Sequence, residues 1–74
     1  MSGLEGYMSD LELESKMKDF FNYQPGAAFM KYLFSAQRIA NLYDEYTIAI
    51  EEGEKEAAME LKQYIIDIVE DFLT

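Results

Sequence analysis

The residue types most able to do chemistry in this chain are carboxylates. Glu51, Glu52, Glu54 and Glu56 crowd one short stretch, and Glu60, Asp67, Glu70 and Asp71 follow it at intervals. Acidic side chains offer three kinds of chemistry: paired acid–base catalysis, coordination of hard cations, and long-range attraction of basic surfaces. A glycosidase-like carboxylate pair needs a cleft wide enough for a sugar, which a helical chain of 74 residues has little room to build. An oxygen-ligand calcium loop needs acids at alternating positions and a glutamate at the twelfth, a spacing this stretch lacks. Electrostatic capture needs only that the charges point outward.

The other catalytic groups are sparse. Histidine and cysteine are both absent, which removes the commonest general base, the thiolate nucleophile and the soft metal ligands. The serines Ser2, Ser9, Ser15 and Ser35 have no histidine to activate them, and the four glycines are too scattered to form a phosphate-binding loop. The expectation is a protein that is not an enzyme and carries no cofactor and no metal. It acts by binding another macromolecule.

Charge narrows the choice of partner. Fifteen acids against six bases leave a net charge of −9. Phosphate contacts need Lys and Arg, so direct nucleic-acid binding is disfavoured, and anionic membranes repel the chain for the same reason. The complement is a protein with a basic surface. The distribution is uneven. Up to Tyr43, the acids Glu5, Asp10, Glu12, Glu14 and Asp19 are nearly balanced by Lys16, Lys18, Lys31 and Arg38. From Asp44 onward, ten acids face only Lys55 and Lys62.

Those charges must be positioned by helices. Residues 1–8 read as a flexible leader interrupted by Gly3 and Gly6, with Met8 a plausible alternative start. Ser9-Asp10-Leu11-Glu12 matches a capping box and predicts a helix that ends near Asn22 or Tyr23, ahead of the Pro25-Gly26 turn. Within it, Glu12–Lys16 and Glu14–Lys18 have the spacing of favourable pairs one turn apart. A long second helix is predicted from about Ala27 to Glu52. Its main apolar stripe is Phe29, Leu33, Ala36, Ala40, Tyr43, Thr47 and Ile50, and a second row holds Tyr32, Ile39 and Tyr46. Ala36 and Ala40 are the expected points of close helix approach.

At Gly53 the apolar frame shifts, resuming as Ala58, Leu61, Ile65, Ile68 and Phe72. That shift, at a residue suited to a left-handed helix end, predicts an antiparallel return; the alternative is one rod of roughly 70 Å with a stutter. The fold class is therefore all-α: a short N-terminal helix followed by a long antiparallel helical hairpin, in a single small domain spanning 1–74. No apolar run reaches the length of a membrane span. Lack of cysteine and of a targeting segment makes the cytoplasm the expected location.

The partner-binding set is expected to be Glu51, Glu52, Glu54, Glu56, Glu60, Asp67, Glu70 and Asp71, outward on the last helix and its turn. Like-charge pairs there (Glu56–Glu60, Asp67–Asp71) and acids at a helix C-terminus each cost a few tenths of a kcal/mol or more, a burden that external use would explain. Solubility alone is the competing explanation. The aromatics Phe20, Phe21, Tyr23, Phe29, Tyr32 and Phe34 gather around Pro25-Gly26 and are expected mainly to close the core, with Met30 and Phe34 the most exposed. Met30, Phe34, Ile48 and Ile66 form an apolar overflow that would suit a homodimer or other assembly. Ser9-Asp10-Leu11-Glu12-Leu13 faintly resembles the prosthetic-group motif of acyl carrier proteins, but the serine stands before the aspartate and the helix that should lead in is missing. In size, acidity and helical character the chain is similar to phage-encoded anti-defence inhibitors, including anti-CRISPR and anti-restriction proteins. That resemblance implies a nucleic-acid mimic that inhibits or regulates a basic, nucleic-acid-binding protein.

Overall fold

The computed structural model describes residues 10–73; the leader and Ser9, with its half of the capping box, lie outside them. Helix α1 spans Leu11–Phe21, a short 3₁₀ turn covers Gly26–Ala28, α2 spans Phe29–Glu51 and α3 spans Lys55–Leu73. Asp10 occupies the cap position of α1 without a side-chain capping bond.

The turn at Gly53 explains the shift of apolar frame. Gly53 adopts φ +76°, a left-handed conformation that side chains disfavour. The Glu54 N–H donates to the Ala49 carbonyl at 2.9 Å and the Gly53 N–H to the Ile50 carbonyl at 3.1 Å, the paired bonds of a Schellman helix end. The chain reverses within three residues, and α3 packs back along α2. The longest dimension is 44 Å, little more than the roughly 35 Å length of α2 alone and far from a continuous rod.

Helix α1 lies against this hairpin, chiefly along α3. Lys62 meets Asp10 and Glu12, while Lys16 meets Glu70 and Phe20 meets Phe72. Those contacts ascend both helices together, so α1 runs parallel to α3 and antiparallel to α2. Neither ion pair expected along α1 forms: Lys16 reaches Glu70 of α3 rather than Glu12, Glu12 faces Lys62 of α3, and among the described residues Glu14 and Lys18 join no ion pair. Bridging two helices orders both, whereas a pair within α1 would order only one.

The core consists of Leu13 and Phe20 from α1, Ile39, Tyr46 and Ala49 from α2, and Ala58, Ile65, Ile66 and Val69 from α3. On α2 the second row supplies the most deeply buried residues, and the main stripe divides, with Ala36, Tyr43 and Ile50 partly buried against the core. Ile39 is fully buried and Tyr46 nearly so, while Phe29, Leu33 and Ala40 are exposed. Two overlapping rows fit a helix touched on both flanks, and the packing centre falls where α1 and α3 both meet α2. Close approach of the hairpin uses the small residues nearest the turn, Ala49 and Ala58, rather than Ala36 and Ala40. Ile66, expected to be exposed, is buried, because α3 is covered on two flanks by α1 and α2.

The aromatic group divides. Phe20 is fully buried, stacked on Tyr32 at 4.6 Å and edge-on to Phe72 at 5.4 Å. The Tyr32 hydroxyl donates to the Phe20 carbonyl at 3.1 Å, an oxygen that also accepts from the Tyr23 N–H at 3.2 Å, so α2 is tied to the end of α1. Phe21, Tyr23, Phe29 and Phe34 remain exposed, and Met30 and Phe34 are the most exposed of the large apolar residues, at 75% and 72%.

Candidate acidic docking face

Helix α3 carries a buried side and a solvent side. Ala58, Ile65, Ile66 and Val69 turn inward; Glu56, Glu60, Gln63, Tyr64, Asp67 and Asp71 stand exposed on the opposite arc. The register follows from helical geometry. Steps of four and seven keep Glu56, Glu60, Asp67 and Asp71 on one side, about 22 Å from first to last. At the N-terminal end of this row, Glu51, Glu52 and Glu54 are exposed on the turn that Gly53 closes.

What neutralises these charges decides what they can do. Lys62 is half-buried and points at α1, 3.7 Å from Asp10 Oδ1 and 3.5 Å from Glu12 Oε1. Lys16 comes from α1 to hold Glu70 at 2.8 Å. Both cations therefore lie on the α1 side of α3. The hydrogen bond to Glu70, and its charge, hold the Lys16 ammonium above its usual pKa of 10.5. Among the described residues, none of Glu51, Glu52, Glu54, Glu56, Glu60 or Asp71 joins an ion pair or a side-chain hydrogen bond. Asp67 accepts a bond from Gln63 Nε2 at 2.9 Å, a neutral donor that fixes the carboxylate without cancelling its charge.

The structure thus brings together most of the expected set. Glu56, Glu60, Asp67 and Asp71 share an outer row, with Glu51, Glu52 and Glu54 at its end. Glu70 stands apart, one position off the row and bound to Lys16. Sequence spacing left Glu70 and Asp71 as alternatives for the same edge; the cross-helix partner that separates them belongs to α1 and is invisible in α3 alone. Tyr64 and Met59, exposed at 55% and 64%, flank the row and add apolar surface beside the charges.

Among the described residues no three acidic side chains converge closely enough to hold a metal ion. A shallow cleft of about 70 Å³ opens between α1 and α2, lined by Asp10, Leu13, Glu14, Tyr43, Tyr46, Thr47 and Ile50. Sites for small organic ligands are typically about 300–1,000 Å³. Among the described residues no helix is long and apolar enough to cross a membrane. Compared with protein-family models, curated protein sequences and solved structures, the chain matches none.

Proposed function

We propose that this is a non-enzymatic binding protein that inhibits or regulates a basic, nucleic-acid-binding protein by presenting α3 and its preceding turn as a nucleic-acid mimic. One observation carries the reading: a row of outward carboxylates on a packed helix, with Lys16 and Lys62 engaged on the α1 side and Lys55 alone of the α3 lysines exposed, at the row's N-terminal end. A duplex presents one phosphate per roughly 3.4 Å of axis on each strand. The α3 row is sparser, with its charges about 6 to 10 Å apart along the axis, and the acids of the turn raise the density at one end. Such a surface draws a cationic groove by long-range attraction, giving fast association that salt weakens. The small, acidic class of anti-CRISPR and anti-restriction inhibitors fits this description, and cytoplasmic residence goes with a target of that kind.

The test reverses the row. A Glu56→Lys, Glu60→Lys, Asp67→Lys variant should keep its helicity by circular dichroism, since all three side chains are exposed and the substitution keeps good helix formers or improves them. Immobilised wild type should capture a basic protein from a lysate of the source organism and release it in about 1 M salt, where the screening length falls to about 3 Å. The variant should capture none of it. Equal capture by both would remove the proposal.

The second reading is an assembly component, for which the uncovered apolar residues Met30, Phe34 and Ile48 of α2 speak.

A further inference from the structure

Helix α2 buries one side against α1 and α3 and leaves the opposite side uncovered. That side holds Met30, Phe34 and Ile48, exposed at 75%, 72% and 52%, with the amides of Gln37 and Asn41 between them. Large apolar side chains repeated along one solvent face mark an interaction surface rather than chance exposure. Beside this stripe runs a row of exposed charges spaced seven apart: Lys31, Arg38, Glu45 and Glu52. Seven residues are close to two helical turns, so Lys31, Arg38 and Glu45 lie on one flank of α2, with Glu52 one residue past its end at Glu51. Their signs run positive, positive, negative, negative. Among the described residues none of the four is in an intramolecular ion pair, and the one contact of their charged groups within the chain is the Lys31 ammonium over the Phe72 ring, 5.8 Å from its centre.

That order is self-complementary under one operation. A second α2 laid antiparallel, with its two-fold axis beside Asn41 and Leu42, sets Lys31 opposite Glu52 of the second copy and Arg38 opposite Glu45 of the second copy. The axis generates the same two pairs again. In antiparallel helix pairs the same flank of each helix meets its counterpart, as this row requires. A parallel copy would set Lys31 and Arg38 at the height of their own duplicates. The same antiparallel placement carries Phe34 toward Ile48 of the second copy, and Asp44 falls within reach of the same Arg38. We infer that the uncovered face of α2 is the interface of an antiparallel, two-fold homodimer of this chain. A domain this small gains core by pairing, and the acidic row of α3, on another helix, remains outward in both copies. This inference does not rest on the nucleic-acid-mimic reading; either can fail alone.

Sedimentation of the full chain up to about 1 mM should show a reversible dimer. Arg38→Glu should weaken it about tenfold or more, because the axis makes each substitution count twice, and adding Glu45→Arg should restore it. The chain has no cysteine, so Asn41→Cys reports alone: its two copies should join as a disulfide. Phe34→Cys should not, since antiparallel packing holds its copies about 22 Å apart. A monomer at every concentration, a dimer indifferent to Arg38→Glu, failure of the double reversal to restore pairing, or ready joining through Phe34→Cys would each overturn the inference.

Discussion

Phe20 and Phe34 are the same residue type fourteen positions apart, and they lead opposite lives. Phe20 is enclosed by Tyr32, Phe21 and Phe72, and Phe34 is largely in solvent. Phe20→Ala should therefore lower unfolding free energy by about 3–5 kcal/mol, enough to unfold much of so small a domain, whereas Phe34→Ser should change the monomer's stability by less than about 0.5 kcal/mol. Urea titration at a concentration low enough to keep the chain monomeric measures both. Lys16 offers a pH test. Its pKa is raised in the folded chain by Glu70, so the stabilisation is fully present below its unfolded value of 10.5 and is lost as pH rises through the higher folded value. The melting-temperature gap between wild type and Lys16→Met should stay constant from neutral pH to about 10 and close above it. A gap that persists undiminished at the alkaline end would show that the Lys16 stem, not its charge, makes the contribution. Individual residue fates were only partly legible from sequence. The high exposure of Met30 and Phe34 followed from their place off both apolar rows, but Ile66 needed knowledge of two flanking helices.

At the scale of elements, the existence, order and ends of the helices were readable because local rules set them. α1 ends at Phe21, four residues before Pro25 and one or two short of the expected Asn22 or Tyr23, and Gly53 ended α2 where a left-handed residue was required. Gly53→Ala should cost about 1 kcal/mol. No atom lies within 4 Å of where the new Cβ would sit, so the loss is conformational rather than steric, and Gly53→Asn should recover part of it. Chemical denaturation of the two variants checks the ranking. What local rules did not reveal was the inward face of α2, since Tyr32–Ile39–Tyr46 and Phe29–Leu33–Ala36–Ala40 are both apolar rows at helical spacing. Tertiary contact chose between them. The cross-helix pairs Lys16–Glu70 and Lys62–Glu12 were hidden for the same reason, each joining residues about fifty positions apart.

The described residues form an elongated three-helix body, 44 Å by 17 Å by 15 Å. One side carries the exposed acids of α3 and one end their continuation around Gly53, while the uncovered face of α2 mixes apolar residues with charges of both signs. Composition made the charge asymmetry plain. Its orientation was only half plain: the outward row of Glu56, Glu60, Asp67 and Asp71 followed from helical spacing, and the removal of Glu70 to the α1 side did not. Two separate surfaces allow two separate roles, and the measurement that bears most directly on the acidic one is a footprint. An isotope-labelled sample of the chain, titrated with the basic protein captured by it and followed by amide chemical shifts, should respond along residues 51–60 and around Asp67 and Asp71, fading as salt is added. A response confined to the outer face of α2 between Phe29 and Ile48, with α3 silent, would contradict the proposal that the carboxylates are what the partner meets.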